Sequence, residues 1–146
     1  MTEASNDDLA RLLWTAQRTA TAVPRHAAPD LDLAAGHAVQ AAGMALRVAA
    51  GDRVAGRKAG LTSATAQAPM AADAPVTGYL AASTITPAAA EFDCGRLLAP
   101  RVEVEIAFVL ARPLAGPDLS PSDVLAATEH LAMAFEVVDS RWEGGP

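Results

Sequence analysis

Apolar residues recur at helical spacing in two stretches near the start of the chain and later give way to alternation. Leu9, Leu12, Leu13 and Ala16 fall on one helical stripe. Ser5 and Asp8 precede it at the spacing of a capping box, so a helix is expected to begin there. A second helix is expected from Asp32 to Ala50, with Val39, Ala42 and Leu46 on one face and Gly51 as its stop; Pro24 and Pro29 bracket the loop before it. Arg53 to Ala59 reads as a short strand closed by Gly60. Leu61 to Thr86, mixed and weakly periodic, reads as loop with short strand pieces bordering a site. Pro100 introduces the clearest alternation in the chain, Arg101 to Leu110. Ser120 then suits an N-cap, Pro121 the first helical position and Asp123 the positive end of a helix reaching about His130. Met133 to Ser140 reads as a further apolar strand, and Glu143 to Pro146 as a frayed end. The expected organisation is a helical region over 1–52 followed by a β-rich region over 53–146.

Composition narrows the class. The chain has 146 residues, 51% hydrophobic and 19% charged, which permits a core and argues against disorder. Only 4% are aromatic, so that core leans on Leu, Val and Ala. A formal net charge of −6 disfavours nucleic acid, whose binding needs clustered Lys and Arg. No apolar run approaches the roughly 20 residues of a membrane span, and the polar start lacks the basic and apolar regions of a signal peptide. Cys94 is the only cysteine, so neither an internal disulfide nor a Cys-based metal site is expected. With no His beside it, Cys94 makes a poor nucleophile. These features together make the expected location cytoplasmic.

The chemistry concentrates on Arg101-Val102-Glu103-Val104-Glu105-Ile106-Ala107-Phe108-Val109-Leu110. Side chains alternate faces along a strand, so Val102, Val104, Ile106, Phe108 and Leu110 share one face, expected to be core. Glu103 and Glu105 share the other, with Cα atoms about 6.5–7 Å apart. Like charges so close repel unless a cation neutralises them or one is protonated. Glu136, embedded in Ala134-Phe135-Glu136-Val137-Val138, poses the same problem: a buried carboxylate needs a proton, a cation or a metal. Three carboxylates suit a hard ion such as Mg²⁺ or Mn²⁺. The wet face of a half-exposed sheet produces the same Glu-x-Glu pattern, and spacing alone leaves both readings open.

Several segments in order resemble the 2-keto-4-pentenoate hydratase and 4-oxalocrotonate decarboxylase family, within the fumarylacetoacetate hydrolase superfamily. They are Gly56-Arg57-Lys58-Ala59-Gly60-Leu61-Thr62-Ser63, then Pro100 through Phe108, and Phe135-Glu136-Val137-Val138-Asp139-Ser140-Arg141. Asp123 to Glu129 resembles the linking helix, and Ala35-Gly36-His37-Ala38-Val39-Gln40 is a weaker echo of the N-terminal helix. The resemblance implies an α+β fold: N-terminal helices followed by part of a mixed β-barrel-like domain, apparently truncated after its first half. It implies Mg²⁺ or Mn²⁺ held by Glu103, Glu105 and Glu136, with Lys58 as the catalytic residue beside the substrate. The implied reaction adds water to a 2-hydroxy-2,4-dienoate to give a 4-hydroxy-2-oxo acid, in meta-cleavage catabolism of aromatic compounds. Decarboxylation of a 2-keto diacid such as 4-oxalocrotonate is the alternative. A non-catalytic half that pairs with a related hydratase or decarboxylase chain is another, and a homo-oligomer is the expected assembly otherwise.

The neighbouring residues keep two readings each. Lys58 shares a face with Val54 and Gly56, which points it inward, although a lone strand Lys is commonly a solvated edge residue. Arg101 suits a substrate carboxylate or a surface ion pair, and Thr62 and Ser63 suit a pocket wall or a turn cap. Asp139 and Arg141 suit the fixing of a strand end. His26, His37 and His130 have no partner at ligand spacing and receive no role. One departure stands out: where the family carries Pro-Asp-aromatic-Gly, this chain has Pro75-Val76-Thr77-Gly78, so an acid is replaced by Val76.

Overall fold

The structure is a computed structural model that describes residues 5–27, 30–88 and 90–145. Two helices lead. In α1, Asn6–Thr19, the Ser5 hydroxyl accepts from the Asp8 N–H at 3.2 Å and the Asp8 carboxylate accepts from the Ser5 N–H at 3.3 Å, completing the expected capping box. In α2, Leu33–Ala49, Asp32 caps the start through the Ala35 N–H. Gly51 follows the end with φ +96°, a left-handed turn that suits glycine. The two helices pack through Leu9 and Ala10 of α1 and Val39 of α2, flanked by Leu13, Ala42, Leu46 and Trp142. Leu12, expected on this stripe, is instead largely exposed; Ala10 takes the inward position.

The strands form two separate antiparallel pairs. Strand β1, Val54–Gly60, pairs with β2, Val76–Ala81; a short helix α3, Ala64–Gln67, lies in the connection. Strand β3, Arg101–Leu110, pairs with β4, Thr128–Val138, and α4, Pro121–Ala127, joins them. Among the described residues the sheets are two-stranded and no barrel closes, so the mixed barrel-like sheet expected from the resemblance is present only as these two antiparallel ribbons.

Four further expectations are corrected. Helix α4 stops at Ala127 rather than near His130, because the chain from Thr128 onward pairs with β3, with Thr128 opposite Leu110 and His130 opposite Val109. A register shift between Val54 and Gly56 takes Val54 out of the alternation, leaving Gly56, Lys58 and Gly60 on the half-buried face. Residues 143–145 are not frayed: Val23 and Trp142 form a parallel bridge, the Glu143 N–H donates to the Val23 carbonyl at 2.9 Å, and Arg25 donates to the Gly145 carbonyl at 2.8 Å; Pro146 lies outside the described residues. Finally, the apolar face of β3 is not core. Val102, Val104, Ile106 and Phe108 stand opposite Val137, Phe135, Met133 and Leu131 on an open face, because no described element packs over it.

Candidate metal centre

The opposite face of the same ribbon carries the acids. Glu103 lies directly across from Glu136, and Glu105 across from Ala134, so the register alone brings three carboxylates together. Each offers an oxygen within 4.8 Å of the others; Glu103 is exposed, while Glu105 and Glu136 are half-buried. Beyond them Ala107 faces Ala132, so small side chains leave room beside Glu105. Like charges directly opposite on a ribbon destabilise it, which makes the compensating charge the central question.

Lys58 provides part of that charge. It reaches from the other ribbon to Glu136, with Nζ 2.7 Å from Oε1 and 2.5 Å from Oε2. The pair is partly screened from water, with side chains 33% and 24% exposed. The inward reading of Lys58 therefore holds. Gly78, directly across from Lys58 on β2, is the reason its stem can cross the sheet: a Cβ there would stand 2.9 Å from the Lys58 Cγ and 3.3 Å from its Cδ. Gln40 of α2 steadies the same turn of chain, its Nε2 donating to the Thr77 carbonyl at 3.0 Å. The sequence carries Gly78 and Gln40 only as members of longer motifs, because the strand register that sets Gly78 opposite Lys58 is not legible there. Val76 lies on the face of β2 that Gly78 shares, half-buried and opposite Gly60, so an apolar side chain stands where the resemblance leads one to expect an acid.

Three carboxylates meet one ammonium here, and the acids offer oxygen donors throughout. That donor set fits one hard divalent cation.

The remaining candidates fall elsewhere. Ser63 accepts from the Ala66 N–H at 3.2 Å as the cap of α3, which fits the turn reading of this residue, and Thr62 is exposed beside it. Arg101 is exposed at the first position of β3, opposite Val138. Asp139 fixes the strand end, as expected: its Oδ1 accepts from the N–H groups of Leu98 and Ala99 at 3.1 and 2.7 Å, and its Oδ2 accepts from Arg141 at 2.8 Å. A groove of about 550 Å³ is lined by residues of α1, α2, β1 and β2 and by Asp139 and Arg141, with Lys58 and Arg47 also in its wall. Burial lowers the pKa of Arg47; Asp52 opposes this and nearby Arg141 adds to it. The groove is lined by Lys58 but not by the three carboxylates, so its volume does not define the metal centre.

No protein-family model matches the chain. It is 39% identical over 134 residues to the TodF product hydratase of Pseudomonas putida strain F1, covering 90% of this chain and 50% of that one. A 4-oxalocrotonate decarboxylase of Pseudomonas putida is 40% identical over 93 residues, 64% of this chain and 35% of that one. The solved 4-oxalocrotonate decarboxylase of Pseudomonas putida G7, complexed with magnesium and adipate, superposes with a TM-score of 0.88 at 31% identity, covering 99% of this chain and 56% of that one; the same enzyme has also been solved with calcium and acetate. The fold is thus part of the fumarylacetoacetate hydrolase-type fold of that decarboxylase. The chain is homologous to the N-terminal half of the 2-keto-4-pentenoate hydratase and 4-oxalocrotonate decarboxylase family. It spans about half the length, or less, of the curated relatives it matches. Among the described residues no helix is long and apolar enough to cross a membrane.

Proposed function

We propose that this chain is the metal-binding half of a hydratase that adds water to a 2-hydroxy-2,4-dienoate, giving a 4-hydroxy-2-oxo acid in meta-cleavage catabolism. The observation that carries the proposal is the convergence of Glu103, Glu105 and Glu136 beside Lys58, two of the acids opposed on neighbouring strands and neutralised in part by a lysine from a separate ribbon. In this reading the three glutamates hold Mg²⁺ or Mn²⁺. When bound, the cation would supply Lewis acidity to the oxygens of the substrate. Lys58 is the charged donor at the edge of the cluster: its ammonium can hold developing negative charge on a substrate oxygen or relay a proton. Its stem, pressed against Gly78, limits the positions that the ammonium can take.

Decarboxylation of a 4-oxalocrotonate-type acid is the second reading, favoured by the superposition on a decarboxylase. Val76, where the resemblance leads one to expect an acid, favours a third, in which this region is non-catalytic and pairs with a related hydratase or decarboxylase chain. Calorimetric titration of Mg²⁺ and Mn²⁺ into wild type and Glu105→Ala tests the metal centre. The expected result is saturable binding in wild type that is lost in the variant; equal binding in both would refute the three-glutamate site. Loss of dienoate absorbance with the metal-loaded protein, compared with decarboxylation of 4-oxalocrotonate, then separates the two chemistries, and turnover of neither leaves the subunit reading.

A further inference from the structure

Strand β2 is paired with β1 alone among the described residues, which leaves the carbonyls along its other edge without a strand partner. One of them, that of Thr77, accepts from the Gln40 side chain at 3.0 Å, across 37 residues of sequence. Water could satisfy the same carbonyl, because both residues are exposed. A side chain that does so instead fixes where the carbonyl points.

The peptide unit is planar, so the Thr77 carbonyl and the Gly78 N–H and Cα move as one body. Gly78 is buried, and with no Cβ its own torsions are among the least restrained in the strand. It also lies directly across from Lys58. A Cβ placed on Gly78 would stand 2.9 Å from the Lys58 Cγ, 3.3 Å from its Cδ and 3.7 Å from the Gln40 Nε2. The Gln40 amide and the Lys58 stem therefore border the same point of the strand. Glu136 holds the far end of that stem, at Nζ. A long lysine stem has many rotamers, and the surface of Gly78 is the wall that selects among them.

We propose that Gln40 is a positioning residue that acts through Lys58: by holding the Thr77–Gly78 peptide it sets the wall on which the lysine stem lies, and so where the ammonium stands beside the three glutamates. The proposal rests on the hydratase reading for the reaction it serves. Its effect falls on the rate rather than on the binding of substrate. A displaced ammonium interacts less well with negative charge that develops only in the transition state, so kcat falls while KM does not.

The test compares Gln40→Met, which keeps the length of the side chain and removes the donor, with Val39→Ala. Val39 is buried in the core between α1 and α2, so its truncation loosens the same helix without removing the bond to Thr77. Nitrogen NMR of the Lys58 Nζ and the proton cross-peak between Lys58 and Gly78 read the stem directly. Dienoate turnover by the Mg²⁺-loaded protein reads the consequence. Gln40→Met should shift the Nζ resonance, weaken the cross-peak and lower kcat about tenfold with KM unchanged. Val39→Ala should leave all of these as in wild type. An unchanged resonance and cross-peak in Gln40→Met would overturn the proposal. The same changes in Val39→Ala would also overturn it, by making them a general effect of loosening α2. A raised KM with kcat intact would do so too, by making Gln40 a substrate-binding group. Wild-type protein that turns over no dienoate would defeat the hydratase reading instead, and the resonance and cross-peak would then decide alone whether Gln40 positions Lys58.

Discussion

Asp139 ties together the two strands that carry the acids, and its removal has a calculable cost. Its side chain is only 6% exposed and accepts three hydrogen bonds, from the N–H groups of Leu98 and Ala99 just ahead of β3 and from Arg141 beyond β4. Asp139→Ala leaves two half-buried backbone N–H groups without their acceptor and leaves the Arg141 guanidinium only the backbone carbonyl of residue 139, at 3.2 Å. A lost acceptor costs about 1–3 kcal/mol for a buried donor. Water reaches Leu98 and Ala99 in part, so about 3 kcal/mol in total is expected, lowering the melting temperature by roughly 6–12 °C in a domain of this size. Asp139→Asn retains an oxygen for the two N–H groups and loses mainly the charge opposite Arg141, so it should cost only about 1 kcal/mol. Urea denaturation of the three proteins measures both values. Equal losses for Ala and Asn would show that the ion pair, not the backbone cap, carries the effect, and a loss below about 1 kcal/mol for Ala would refute the assignment.

Other perturbations probe the site from different sides. Gly78→Ala places a Cβ against the Lys58 stem, so it should cost about 1–3 kcal/mol as overpacking and displace the ammonium from Glu136, seen as a changed Lys58 Nζ resonance by nitrogen NMR; an unchanged resonance would show that the stem has room. Val76→Asp restores an acid beside the site, and if a proton-transfer group is what Val76 removed, dienoate turnover should rise by about 10²-fold; no gain would assign the loss to another cause. Ser83→Ala tests an electrostatic contact away from the site. The Ser83 hydroxyl, with the N–H groups of Arg53 and Ser83, holds the Asp52 carboxyl below the usual range against partial desolvation. A lowered folded-state pKa favours the folded state above the unfolded value near 3.9, and that contribution disappears as pH falls through the lowered value. Carbon NMR titration should show Asp52 moving upward in Ser83→Ala, and no movement would refute the hydroxyl as the main cause.

The parts of the molecule that were legible in the sequence are those governed by local rules. Ser5 with Asp8, Asp32, Gly51 and Ser120 with Pro121 mark helix ends by chemistry that acts within a few residues, and each lies where its pattern placed it. The alternation of β3 likewise put Glu103 and Glu105 on one face. What local rules do not contain is which face of a ribbon meets another layer. Val102, Val104, Ile106 and Phe108 read as core because burial is the usual reason for such a row, yet the half-buried face is the one bearing Glu105, Ala107 and Val109. The end of α4 differs from its sequence pattern for a related reason: Thr128 to His130 is ambiguous locally, and pairing with β3 decides it. Lys58 shows the limit most clearly. Its partner Glu136 is 78 residues away, and only the placement of two separate ribbons makes them neighbours. The family resemblance linked the two residues before any geometry did, whereas the physical reason for the link, acids opposed at Glu103 and Glu136 and a glycine that lets the lysine through, is a property of the folded chain alone.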